Sequence, residues 1–318
     1  MNPCDIFDLF RSGAPLTEDD RLDFVSYIDA FSADDDNSMM AVSGLTLALI
    51  ENDLDEDKFR LLLKVARRQA DDELQDRIFV GILMTMIMHD RQIRKSSTLL
   101  DDVQDALTSD AELSFTALCN IARTTQVPHV EMCNKQLAGE LMPLIQERGS
   151  DAFYNVIKKY RSEMERIATL QLDQNFAFFK DAYKTPFFLE RAANWFLPWT
   201  DDAIKDMDDE DREQMEELLD AWTMCDSDRY AACRMFKLLH SVLKNNLQID
   251  SMKEMGVMKN NYEIMANGYV QQMYRFFRLS PFTQAKPFEL ACRMREMIVY
   301  RLVVVGAGAQ ETISVLLD

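Results

Sequence analysis

The chain has 318 residues, 47% of them apolar, which suffices for one large core, two ordinary ones or an elongated repeat array and is too much for general disorder. Its 54 acidic residues against 35 basic ones give a formal charge of −19, which disfavours phosphate backbones and anionic membrane surfaces as partners. Only nine glycines and eight prolines punctuate it, and strong helix formers fill the periodic segments, so an all-α fold is expected.

In chain order, Thr17 followed by Glu18, Asp19 and Asp20 reads as a helix start: a capping hydroxyl, then acids that complement the helix dipole. Leu22, Val25, Ile28 and Phe31 follow at helical spacing. A second helix is predicted from Ser38 to about Asn52, and a third from Asp55 carries Phe59, Leu62, Leu63 and Ala66 on one face; the two should pair as a hairpin. From Asp71 to about His89 the sequence is apolar around most of a helix, from Ile78 to Met88, which predicts burial on several sides. Further helices are expected at 98–107, 111–124 and 130–141.

Starts near 38, 72 and 110 suggest two-helix units recurring every ~35 residues, the range of helical solenoids. Tetratricopeptide and ankyrin consensus residues are missing from these units, so the match is to period and pairing, and HEAT-like is the nearest description. An irregular helical bundle is the alternative. The predicted organisation is an N-terminal helical-hairpin array over 1–148 and a C-terminal helical region over 149–318, beginning at Gly149-Ser150 with one long amphipathic helix through Ile157, Tyr160, Met164, Ile167 and Leu170.

Between Phe176 and Trp199 stand nine aromatic residues, divided by Pro186 and Pro198 into a helix end, a turn and a short helix carrying Trp195. Aromatics bring large apolar burial and rigid geometry, marking dense core or a contact surface. Phe179, Phe187, Phe188, Trp195, Phe196 and Trp199 are therefore the candidate residues, either for packing between the two helical regions or for binding a partner. After the acidic run 201–217, helices are predicted at 212–224, 228–243, 258–278 and 287–305.

Six cysteines, Cys4, Cys119, Cys133, Cys225, Cys233 and Cys292, lie far apart without a CxxC pair, the pattern of free thiols in a reducing compartment. The N-terminus lacks the basic start and apolar run of a signal peptide, and no stretch reaches the ~18 apolar residues that span a bilayer; a cytoplasmic protein is expected.

Few groups suggest chemistry. Asp34, Asp35 and Asp36 offer clustered carboxylates to a divalent cation, although helix capping and a solvated loop account for them better, as for Asp208, Asp209, Glu210 and Asp211. His89 and His240 stand apart from other ligand types, except that His240 follows Cys233 by two turns. His129 and Cys133, four apart, share a helix face as two ligands for a soft metal, but two make no site. Residues 302–311 imitate a strand and dinucleotide-binding glycine turn, yet Glu311 replaces the third small residue and no βαβ unit surrounds it. No cofactor is implied.

The segment Phe176-Ala-Phe-Phe-Lys-Asp-Ala-Tyr-Lys-Thr-Pro-Phe-Phe, with Asn194-Trp195-Phe196-Leu197-Pro198-Trp199 downstream, resembles a stretch in large helical-repeat proteins of Bacteroidetes, often labelled tetratricopeptide-repeat proteins. Cys225-Asp-Ser-Asp-Arg-Tyr-Ala-Ala-Cys and Tyr269-Val-Gln-Gln-Met-Tyr-Arg-Phe-Phe-Arg-Leu follow in the same order. The resemblance is clearest over residues 151–288. It implies an α-solenoid continuing past this C-terminus, which the apolar ending Val315-Leu-Leu also suggests, and it implies no activity or catalytic residues.

The expected function is a non-catalytic scaffold for protein–protein interaction, binding a protein or peptide of basic character. An all-α enzyme holding a divalent cation on the acids at 34–36 is the alternative. A structural or assembly subunit, with the aromatic block against an identical chain, is the third reading.

Overall fold

The computed structural model describes residues 1–29, 36–68, 72–147, 150–169, 172–173, 175–221, 224–246 and 262–289. Among them the protein is all-α, with helices, short 3-10 turns and no strand. The predicted helix beyond 289, the glycine turn, Phe31, Leu170 and Cys292 lie outside the described residues, as do Asp34 and Asp35.

The first helix, α1 (Pro3–Arg11), starts where Asn2 accepts from the Cys4 amide at 2.9 Å and proline occupies the first turn. It buries Ile6, Phe7 and Phe10. In α2 (Glu18–Asp29) the cap is reciprocal: the Thr17 hydroxyl accepts from the Asp20 amide at 3.1 Å, and the Asp20 carboxylate accepts from the Thr17 amide at 2.8 Å. The buried face differs from the spacing read in the sequence. Phe24 and Ile28, one turn apart, enter the core, whereas Leu22 is 60% exposed; the Phe24 ring meets Phe10 edge-on at 5.1 Å, and an aromatic contact outweighs a leucine on a different face.

Helix α3 (Asp36–Glu51) is buried without interruption from Ser38 to Ile50. Such a helix must be enclosed on all sides, and α1, α2, α4 (Glu56–Val65) and α5 (Asp72–Ile93) all pack on it. The closest approach is at Gly44, where a Cβ would lie 2.4 Å from the Phe7 carbonyl oxygen; only glycine lets the backbone of α1 come that near. Helix α4 is capped by Asp55, which accepts from the Asp57 and Lys58 amides, and it buries Phe59, Leu62, Leu63 and Ala66 as their spacing predicts.

Helices α6 (Ser97–Ser109) and α7 (Ala111–Arg123) follow. Through α6 the packing is regular. Each of α2, α3, α4 and α5 meets the next helix or the next but one: α1, α3 and α5 pack in one succession, and α2, α4 and α6 in another. Arginine–aspartate pairs link the second succession: Arg21 of α2 with Asp57 of α4 at 3.0 Å, Arg60 of α4 with Asp102 of α6, and Arg67 with Asp105 at 3.1 Å.

The chain forms two compact units. The expectation of one boundary near 149 differs from this division, because residues 191–198 and the described residues from Gln272 onward belong with residues 1–122. Arg191 carries the first return, pairing with Asp5 at 2.6 Å and Asp8 at 2.8 Å on α1. The 3-10 turn Ala192–Trp195 then leads to Phe196, whose ring stacks on Phe7 at 5.6 Å. Arg77 of α5, fully buried, donates to the Ser43 hydroxyl at 3.1 Å, the Phe196 carbonyl at 3.2 Å and Glu73 at 3.0 Å. Phe276, in α14 (Tyr262–Leu279), meets Trp195 and Phe196 and lies under the Arg11 guanidinium.

In the other unit α8 (Val127–Glu147), which continues through Pro143 past the predicted end near 141, packs on α9 (Ser150–Thr169). The short helix α10 (Phe176–Ala182) packs on α8 and on α13 (Asp226–Asn246), and α12 (Asp209–Ala221) on α13. The five-residue helix α11 (Pro186–Glu190) begins at the proline that divides the aromatic block.

Candidate functional site

The six aromatic candidates separate into two sets, each packing within its own unit. Trp195 and Phe196 are buried in the first, against Phe276 and Phe7. Phe179 and Phe188 are buried in the second, edge-on at 5.1 Å. Phe187 and Trp199 are half-buried, both against Tyr230, with the Arg234 guanidinium over the Phe187 ring at 5.0 Å. Trp199 also covers the apolar cluster of Ile204, Met215, Leu219 and Phe236. Four of the six side chains are thus internal, and Phe187 and Trp199 retain partial exposure.

The acidic runs serve helix ends where they are described. Asp36 opens α3, and Asp208 accepts from the Asp211 amide at 2.9 Å to cap α12, leaving Asp209, Glu210 and Asp211 in its first turn. A polar cleft of about 580 Å³ lies at the end of α1, lined among others by Asp8, Arg11, Glu51, Asn52 and Phe282. Its Arg11 is held by both Glu51 oxygens, at 2.8 and 3.1 Å, and by the Phe282 carbonyl at 2.9 Å, and Asp8 is paired with Arg191, so both acids of the cleft are already neutralised by arginines.

Among the histidines, His89 sits at the kink of α5, where its Nε2 donates to the Leu49 carbonyl at 2.7 Å. The His240 side chain lies outside the described residues. His129 and Cys133 do share a face of α8, with Nε2 and Sγ 3.5 Å apart. Opposite them α9 supplies a third group that the sequence reading missed: Glu163, with Oε1 2.8 Å from His129 Nε2. All three ligand atoms lie within 4.8 Å of one another. Arg166 donates to the same Glu163 oxygen from Nε at 3.0 Å and Nη2 at 2.7 Å. These bonds, then the one to His129, hold the carboxyl down at about 2. Burial, reinforced by Glu163, pushes the Cys133 thiol up.

Glu163 was findable in one way. Helix ends at Glu147 and Ser150 fold an antiparallel pair whose reflection puts Cys133 opposite a position near ~164.

Asp76 and Lys58 are among the buried ionisable side chains elsewhere. Asp76 of α5 is 2% exposed, and burial pushes its carboxyl to about 8 although Arg77 opposes the rise. Lys58 donates to the Ser12 carbonyl at the end of α1, and burial lowers its ammonium. The cysteines Cys4, Cys119, Cys133, Cys225 and Cys233 carry thiols and not disulfides, and burial pushes Cys233 to about 12, leaving it protonated at neutral pH. Among the described residues no helix is long and apolar enough to cross a membrane.

No protein-family model matches this chain, and no curated protein or solved structure is significantly similar to it.

Proposed function

We propose that the protein is a helical-repeat scaffold of HEAT- or tetratricopeptide-like architecture that binds a protein or peptide of basic character. The observation that carries this reading is the regular packing of α1 to α6 in two successions, with arginine–aspartate pairs joining α2 to α4 and α4 to α6. Neighbour-to-neighbour packing of helix pairs is how repeat arrays build extended surfaces. The resemblance of the aromatic segment to helical-repeat proteins of Bacteroidetes agrees with it.

The succession α1, α3, α5 is enclosed by the chain itself, through Phe196, Phe276 and the Arg77 and Arg11 contacts. The partner is therefore assigned to the succession α2, α4, α6. Its charge gives the sign of the partner: α2 carries five acids and one base, α4 two acids and three bases, and α6 three acids and no base, ten acids against four bases in all. Glu18, Asp19, Asp23, Asp101 and Asp105 are exposed there.

Crosslinking of the protein in its native cells, followed by mass spectrometry, tests the assignment. Recurrent crosslinks from α2, α4 and α6 to a lysine- or arginine-rich surface are expected. Crosslinks confined to other copies of this chain would replace the scaffold with an assembly subunit.

A further inference from the structure

We infer that His129, Cys133 and Glu163 form a binding site for a borderline-soft divalent metal ion, Zn²⁺ foremost, which clips α8 to α9 and leaves its fourth coordination position to solvent.

Two of the three ligand–ligand spacings are close to those of a tetrahedral centre, and all three atoms lie within 4.8 Å of one another. Zinc bonds of ~2.3 Å to sulfur and ~2.0 Å to nitrogen put the two ligand atoms about 3.5 Å apart, and Cys133 Sγ stands 3.5 Å from His129 Nε2. A nitrogen and a carboxylate oxygen on one zinc are separated by roughly 3.3 Å, against 2.8 Å between His129 Nε2 and Glu163 Oε1. The carboxylate must withdraw by about half an ångström, which the exposed end of a glutamate provides by side-chain rotation.

The supports are those a metal site needs. His129 and Cys133 are one turn apart on a helix, so a single face presents both. Cys133 is buried with Val130, Ile167 and Leu172 in the apolar cluster between α8 and α9, which fixes its sulfur, while His129 and Glu163 are about a third exposed and open to entry. Arg166 donates two hydrogen bonds to Glu163 Oε1, the oxygen that also faces His129; the metal takes the place of the His129 hydrogen bond there, and Arg166 keeps the carboxylate oriented. A mixed nitrogen, sulfur and oxygen set disfavours magnesium and calcium, which take oxygen ligands. On binding, the Cys133 thiol gives its proton to solvent, and His129 gives up the Nε2 proton it shares with Glu163, the ring ending as the Nδ1–H tautomer with its Nε2 lone pair on the metal.

Titration of the chelator-treated full-length chain with Co²⁺, read by absorbance, tests this. One equivalent should produce a thiolate-to-cobalt charge-transfer band with the visible bands of a tetrahedral ion, and Zn²⁺ should displace it. Because the chain has six cysteines, location is decided by variants whose folding is checked by circular dichroism. Cys133→Ser should abolish the charge-transfer band, His129→Ala and Glu163→Gln should weaken binding at least ~10-fold, and Cys233→Ser should change nothing. A band surviving in Cys133→Ser, or no stoichiometric binding by the parent chain, overturns the proposal. Should the variants unfold, the parent chain decides: Zn²⁺ must slow alkylation of Cys133, located by mass spectrometry, at least ~10-fold, and unprotected Cys133 refutes the site.

Discussion

Asp76 shows how one side chain sets a pH dependence. Its carboxyl is raised from an ordinary 3.8 to about 8 by burial, so between those values the folded chain keeps a proton that the unfolded chain has released. Stability contributed through this group is therefore full below the unfolded value and falls as pH rises toward 8, with a limiting slope of about 1.4 kcal/mol per pH unit. Asp76→Asn, a neutral mimic of the protonated acid, should flatten that fall and make the protein more stable than the parent at pH 8. Urea unfolding of both chains at pH 5 and pH 8 checks it: a difference that does not grow with pH would show Asp76 ionised in the fold. Glu163 illustrates the opposite case, a carboxylate pulled down by Arg166 and His129. Its pairing with Arg166 was legible as an i,i+3 spacing on one helix, but His129 was not, because it lies on the other helix of the pair.

At the scale of elements, two local devices are exposed to test. The Thr17 hydroxyl caps α2 by accepting from the Asp20 amide, and Thr17→Ala should cost about 1 kcal/mol in chemical unfolding; no change would mean that solvent satisfies the amide equally. Gly44 is where α3 receives the backbone of α1. Gly44→Ala should destabilise by about 1–3 kcal/mol or more, since the obstructing atom is a carbonyl oxygen of a packed helix and not a movable side-chain tip. An unchanged melting transition would contradict so close an approach.

These elements also show where sequence pattern suffices. The faces of α4 and α5 were legible because apolar residues recur at helical spacing over two or more turns. The face of α2 was not, because Leu22 and Phe24 compete for it and the choice depends on Phe10, a residue of another helix. The aromatic segment stood out by composition. Its division between two sets of partners depends on the chain returning at Arg191 to pair with Asp5 and Asp8, and no local pattern encodes a pairing across so long a stretch of sequence.

For the molecule as a whole, the −19 charge and the acid-rich α2 and α6 join the architecture to the proposed partner. A surface of one sign accelerates encounter with the opposite sign and makes binding sensitive to ionic strength. The zinc proposal is independent of this, since its ligands lie on α8 and α9, and either can fail without the other. Replacing Asp19, Asp23 and Asp101 together by lysine should leave the fold intact, because all three are exposed, and should weaken partner binding.

The most direct test is the affinity of the purified chain for the partner identified by crosslinking, measured by calorimetry from low to high salt, for the parent and for this triple variant. Binding should weaken steeply with salt and drop at least ~10-fold in the variant at low salt. Affinity indifferent both to salt and to the three substitutions would contradict the scaffold proposal.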